Sequence, residues 1–207
     1  MQKTPQEHLE TLVEIRDLMQ RSTRFLSLSG LSSAFAGIFA LIGAGMAYWY
    51  LSMHNPAFDG HHIRMDFIIF FTLDASIVLF LSIGVGYYFS WRKAKRYNFQ
   101  MWDSTTYRML ESLAIPLIAG GLFCLILLLQ HHYKLIAPCM LIFYGLGLIN
   151  ASKYTLREVY YLGLLEVIFG LFSAFFINYG LFFWTIGFGL LHIVYGLLMY
   201  NRYERTR

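Results

Sequence analysis

Of the 207 residues, 57% are hydrophobic and 14% charged, against about 25% charged in a soluble domain. Long stretches hold no charge at all, so the chain cannot cover a globule of this size with hydrated side chains, and a soluble enzyme is excluded. An integral membrane protein remains, and two cysteines are too few for a disulfide framework.

The chain opens with Thr4-Pro5-Gln6-Glu7, a capping threonine, a proline at the first helical position and a glutamate three residues after the cap, which predicts a helix start. Leu12, Ile15 and Met19 share a face with Leu26. Residues 1–24 therefore read as an amphipathic helix on the inner membrane surface or against the bundle. They do not read as a cleaved signal, because the apolar stretch after Arg24 is too long and ends in aromatics.

Residues 25–207 carry six apolar stretches of bilayer-crossing length, near 27–51, 66–90, 110–130, 135–152, 156–177 and 181–200. The predicted fold is all-α, a polytopic bundle of six transmembrane helices in three hairpins. Counting basic residues on alternate sides groups 14 of the 16 together, with only Arg64 and Lys134 opposite. By the positive-inside rule both termini are cytoplasmic.

A pI near 9 needs no nucleic acid once this bias is seen. Arg92, Lys93, Lys95 and Arg96 directly follow the second span, where they meet anionic headgroups at about 1 kcal/mol per charge. Tyr48, Trp49 and Tyr50 close the first span outside, and Tyr87, Tyr88 and Trp91 close the second inside, as interface anchors do. Pro116 lies inside the third span, where its missing amide frees the carbonyl of Ser112. Pro138 falls in the first turn of the fourth and is tolerated there. Thr155-Leu156-Arg157-Glu158 reads as a capping box for the fifth span. Asn150-Ala151-Ser152 matches a glycosylation acceptor but falls on the cytoplasmic side.

The chain also aligns with itself. Leu162-Gly163 through Gly170-Leu171-Phe172-Ser173 matches Leu113-Ala114 through Gly121-Leu122-Phe123-Cys124, and Tyr195-Gly196-Leu197 with Asn201 matches Tyr144-Gly145-Leu146 with Asn150. Gly37-Ile38-Phe39-Ala40 in the first span joins them, which suggests a hairpin repeated three times in one orientation, with no clear match in the second span. That differs from the inverted repeats of many secondary transporters. Six helices in repeated hairpins with a glycine-aliphatic-phenylalanine element resemble the HdeD-like small bacterial membrane proteins associated with acid resistance. The resemblance implies a bacterial inner-membrane location and no demonstrated catalytic activity, and it carries over no functional residue.

The sharpest chemical feature is in the last hairpin. Glu166 lies 13 residues before Tyr179 of the turn and His192 13 after it, so both sit roughly 20 Å from the turn, near mid-membrane. Both lie on small-residue stripes, Gly163, Gly170 and Ser173 with the acid and Thr185, Gly189 and Gly196 with the imidazole, faces that suit helix contact. An unpaired charge at that depth costs at least about 2.5 kcal/mol, which marks an ionisable residue as a site hypothesis. A pair can share a proton without net charge, and histidine's reference pKa of about 6.5 suits a relay or pH switch. Asp74, with Thr72 and Ser76 beside it, is near the same layer as a third member.

His54, His61, His62, His131 and His132 fall in the outer loops near Asp59 and Asp66, making His61, His62, His131 and His132 weak candidates for zinc or copper. No His-x-x-x-His spacing supports them. Cys124 and Cys139 are symmetric about their turn, and Cys124 fills the repeat position of Ala40 and Ser173, as a small packing residue would. No nucleophile with a base, nucleotide loop or zinc-protease signature occurs. Enzyme activity thus lacks positive support, no cofactor is implied, and any intramembrane catalysis would have to use Glu166, His192 and Asp74 as acid and base. The leading reading is a non-enzymatic inner-membrane protein whose buried acid and imidazole sense or pass protons, as a small channel or transporter would. The alternative is a membrane-embedded assembly protein, a homo-oligomer or the subunit of a membrane partner, in which the pair is only structural.

Overall fold

The computed structural model describes residues 29–54, 65–96 and 102–203, and every described element is helical. In chain order these are α1 (Gly30–His54), α2 (Met65–Arg96), α3 (Ser104–Leu129), α4 (Ile136–Ala151) and α5 (Arg157–Phe175). The last crossing, Ile177–Tyr203, opens with a 3₁₀ turn and continues as α6 (Gly180–Trp184). It then passes through a π-helical segment (Thr185–Leu191) and ends as α7 (His192–Tyr203). Six crossings are long and apolar enough to span a bilayer, so the chain is a multi-pass membrane protein. The N-terminal amphipathic helix and the loop histidines His61 and His62 lie outside the described residues.

Helix ends depart from the sequence-based spans where polar residues continue a helix beyond its apolar part. The second helix does not stop near residue 90 but runs through the basic cluster to Arg96. Its 32 residues make a rod about 48 Å long, well beyond the hydrocarbon thickness of about 30 Å. The third helix starts at Ser104 because Asp103 caps it, accepting from the Thr106 amide and hydroxyl, each at 2.7 Å. Beyond the capping box expected at Thr155, α5 begins at Arg157. Leu156 is the N-cap and makes no side-chain capping bond, while the Thr155 amide closes the preceding 3₁₀ turn on Ser152. Glu158 is engaged elsewhere, accepting from the Tyr203 hydroxyl at 2.8 Å and lying 3.1 Å from Arg202.

Packing follows the glycines. α4 packs along both α3 and α5, and α1 packs along α2 and the last crossing. Where α1 meets the last crossing, a Cβ on Gly30 would stand 2.5 Å from the Gly196 carbonyl and 2.5 Å from the Tyr200 amide. One on Gly163 of α5 would stand 2.7 Å from the Gly145 carbonyl and 2.9 Å from the Ile149 amide of α4. Backbone meets backbone in both places, which only glycine permits and which dispersion rewards in a medium without hydrophobic driving force between helices. Pro116 also finds its answer here: the Ser112 carbonyl that it frees accepts from Asn150 Nδ2 of α4 at 2.9 Å. A half-buried acceptor that would otherwise be left open by the proline is thereby satisfied across a helix pair.

Candidate functional site

Three helices bring the polar residues together. α5 buries Val159, Leu162, Gly163, Glu166, Gly170 and Ser173, a stripe recurring every three or four residues, so the carboxyl is carried inward with the packing face. The last crossing buries Gly187, Gly189, His192 and Gly196. Gly163 and Gly170 meet α4, whereas Gly189 and Gly196 meet α1. The two stripes therefore serve different neighbours, and the acid and imidazole meet in the space left between them.

Glu166 is 0% exposed and His192 5%, with Nδ1 of the ring 3.4 Å from the carboxylate Oε1. The equal depth read from the turn is thus realised as contact. Nδ1 also lies 3.0 Å from the carbonyl oxygen of Gly187. A carbonyl only accepts, so Nδ1 carries the hydrogen and donates it there. Aimed at Gly187, that N–H leaves neither Glu166 oxygen with a hydrogen bond among the described residues. The free lone pair of a neutral ring is then on Nε2, which lies 2.7 Å from the hydroxyl of Tyr144 on α4. Tyr144 is the residue that sequence reasoning missed as a site member. Its Tyr-Gly-Leu context reads as repeat and packing, and nothing local says that its hydroxyl reaches a histidine 48 positions on.

The local backbone explains how the cluster fits. Gly187 sits in the π-helical segment, a rare geometry often found at functional sites, and a Cβ there would stand 2.5 Å from Glu166 Oε2 and 2.5 Å from Leu141 Cδ2. Only glycine leaves room for the carboxyl. On the far side, Ser33 of α1 donates to the His192 carbonyl at 3.1 Å, so a fourth helix ties down the backbone at the ring. Along the last crossing Phe188 stacks near His192 with centroids 6.1 Å apart, Trp184 lies 5.1 Å from Phe188, and Tyr144 lies 4.9 Å from it. An aromatic ladder thus runs from the imidazole to a tryptophan.

Asp74 is placed elsewhere. Its two carboxylate oxygens face Gly43 of α1, each 3.4 Å from where a Cβ would be, and α1 turns its Gly37 and Leu41 side to the last crossing. Among the described residues no hydrogen bond or ion pair joins Asp74 to Glu166 or His192. Its neighbour Ser76 bonds back to the Thr72 carbonyl at 2.6 Å. Depth alone does not make the third member, because α1 stands between.

The outer histidines His131 and His132 are exposed, and His131, in the left-handed region at φ 61°, is hydrogen-bonded to the Tyr133 hydroxyl. Among the described residues no three of His, Cys, Asp and Glu gather as metal ligands. Cys124 and Cys139 each reach toward a backbone carbonyl of the facing helix, Ile136 at 3.9 Å and Gly120 at 3.8 Å, and both are free thiols. At the end of α2, Tyr88, Trp91, Arg92, Lys95 and Arg96 line an open cleft, with Lys95 Nζ 5.4 Å from the Trp91 ring centroid, a cation–π distance.

No family model matches the chain, and no curated protein or solved structure matches it at a significant level.

Proposed function

We propose that this is a proton-responsive protein of a bacterial inner membrane, built of three hairpins with both termini in the cytoplasm, whose switch is the chain Tyr144–His192–Glu166. The observation that carries the reading is a fully buried carboxyl group, 3.4 Å from an imidazole, with neither oxygen hydrogen-bonded among the described residues. A pair kept only to pin two helices would satisfy those atoms, since each orphaned buried acceptor costs about 1–3 kcal/mol. An acid held without partners beside a ring that can become a cation has its partner in the other protonation state.

The geometry gives the proton a direction. Nδ1 already carries a hydrogen, so the basic atom is Nε2. A proton arrives at Nε2 from the Tyr144 side. The Tyr144 hydroxyl then turns from donor to acceptor, and Glu166, 3.4 Å from Nδ1, faces the charged ring. Sensing fits this arrangement better than conduction, because the carboxylate is closed off and Asp74 is separated from it by α1. The basic end of α2, with its tyrosine and tryptophan, sits against anionic headgroups. The family resemblance drawn from the hairpin plan, with its link to acid resistance, agrees with a proton-responsive role.

The test is a pH titration in lipid nanodiscs of a chain keeping Trp184 as its single tryptophan. Trp184 fluorescence should move in one step between about pH 5 and 8, be flat in His192→Gln, and be weakened in Glu166→Gln and Tyr144→Phe. A wild-type signal flat across that range would end the sensing reading. It would leave the assembly protein, in which the pair only holds helices.

A further inference from the structure

Glu166 lies nine residues from each end of α5, so depth alone does not say which side of the membrane the switch answers to. The two halves of the last hairpin are built differently, however. Toward the turn at Ile177–Tyr179 the packing is aromatic: Phe183 lies 6.4 Å from Phe169 and 6.3 Å from Phe176, centroid to centroid, and Phe182 meets it edge-on at 5.5 Å. The hydroxyls in that half lead nowhere. Thr185 is turned back on the Leu181 carbonyl at 2.7 Å, and Ser173, 0% exposed, has no hydrogen-bond partner among the described residues.

Toward the start of α1 and the end of the last crossing the lining is polar. Ser29, Gly30, Ser32, Ser33, Tyr195 and Met199 surround a cleft of about 30 Å³, room for a water with hydroxyls to hold it. Ser32 and Ser33 give their hydrogens to the Ser29 carbonyl at 2.6 Å and the His192 carbonyl at 3.1 Å, which leaves their oxygens as acceptors. Tyr195 lines this cleft and also packs, with Tyr144, on the aliphatic cluster of Leu148, Val159 and Leu162. It follows His192 by three residues, about 4.5 Å along the axis, and matches Tyr144 in the sequence repeat. Its phenol is within electrostatic reach of Tyr144 and of Glu158 and Tyr203. Tyr203 donates to Glu158 at 2.8 Å, and the Glu158 side chain is 26% exposed. Among the described residues, polar groups thus run from the surface to the imidazole in this half alone.

We infer that Tyr195 is the relay through which the switch takes its proton, which enters from the face where α1 begins and the last crossing ends, the cytoplasmic face in the proposed orientation. The inference rests on the proton reading of Tyr144, His192 and Glu166, and adds to it the compartment whose pH is read. A hydrated proton in the cleft passes one hydrogen to the Tyr195 oxygen and is left as water. Tyr195 hands its own hydrogen on to Tyr144, and Tyr144 gives its own to Nε2. Both phenols end neutral and the imidazole gains the charge, because a phenol oxygen can accept as its hydrogen leaves. Among the described residues, the titratable groups facing the ring are Glu166 of α5 and Tyr144 of α4, while α1 presents the Ser33 hydroxyl. Glu166 stands at Nδ1, on the other side of the ring from the route.

The test uses the full chain with Trp184 as its single tryptophan, in sealed vesicles whose protein orientation is read from protease cleavage of a C-terminal tag. The pH is stepped on one face at a time while Trp184 fluorescence is followed. The signal should follow a step on the face that carries the C-terminus and ignore a step on the other. In stopped flow, Tyr195→Phe should slow the response by about tenfold or more, while its end point and its unfolding midpoint stay those of the parent; a residue that only packs would move the midpoint instead. Ser173→Ala, in the aromatic half, should leave the rate unchanged. A response to the opposite face, alone or equally, or a Tyr195→Phe chain that responds at the parent rate, overturns the inference while the switch stands. A chain silent to both faces overturns the switch, and this inference with it.

Discussion

Replacing Gly187 with alanine tests whether the carboxylate lies where the helices place it. The added Cβ would stand 2.5 Å from Glu166 Oε2 and 2.5 Å from Leu141 Cδ2, where ordinary contact begins at 3.4 Å, so both neighbours must retreat by about 0.9 Å. Leu141 has no exposed surface and is backed by Gly170, whose Cβ position is 3.1 Å from its own Cβ. Overpacking of this kind costs about 1–3 kcal/mol, while exchanging glycine for alanine in a helix returns up to about 1 kcal/mol. The expected net loss is about 1–2 kcal/mol. In a Glu166→Ala background one of the two overlaps is gone, so the substitutions should couple by about 1 kcal/mol. Reversible unfolding in mixed micelles, followed by Trp184 fluorescence in the four chains of the cycle, measures this directly. Additivity within about 0.3–0.5 kcal/mol would show that Gly187 and the carboxyl do not touch, and would refute the geometry on which the switch depends.

Three further outcomes follow from the packing. Asn150→Leu strands the Ser112 carbonyl and should cost about 1–2 kcal/mol, a loss that Pro116→Ala should largely abolish by restoring an amide to that carbonyl; an equal loss in both backgrounds would count against the bond. Gly163→Ala pushes a methyl group into the α4 backbone and should destabilise by about 1–3 kcal/mol, whereas Gly45→Ala, which meets nothing within 4 Å, should change stability by no more than about 0.5 kcal/mol. The ordering of those two midpoints is the check. Arg202→Ala removes the exposed partner of Glu158 and should cost less than about 1 kcal/mol, with the loss shrinking further in high salt.

What could be read from the residues was whatever depends on one coordinate, distance along a helix. Apolar length gives the number of crossings, and a turn between two helices fixes which residues share a depth. That is why the contact between Glu166 and His192 was legible before any coordinates. Boundaries were less so: α2 ran past its apolar part because Arg92, Lys93, Ala94, Lys95 and Arg96 are good helix formers, and α3 began early because a single aspartate outside the apolar stretch capped it. At the start of α5, Glu158 of the expected capping box meets Arg202 and Tyr203, partners that no local motif could reveal.

Rotation about the helix axis is the coordinate that a single sequence leaves open, and the site turns on it. Asp74 was drawn into the cluster by depth, yet α2 directs its carboxylate to Gly43 of α1. Tyr144 was passed over although its hydroxyl is 2.7 Å from the imidazole, because which face of α4 looks at the last crossing is decided by where Gly145 lets α5 approach. The glycines therefore do more than allow close packing. By fixing the rotation of α4 against α5 and of α1 against the last crossing, they set where a carboxyl, an imidazole and a phenol meet between the two pairs. Gly187 then keeps that space free of a side chain. Changing the polar residues alters what the site can do with a proton, while changing the glycines alters whether there is a site at all. The two classes of substitution should accordingly separate in experiment. Tyr144→Phe and Glu166→Gln should change the pH response of a chain whose unfolding midpoint stays near that of the parent, and Gly163→Ala should lower the midpoint first.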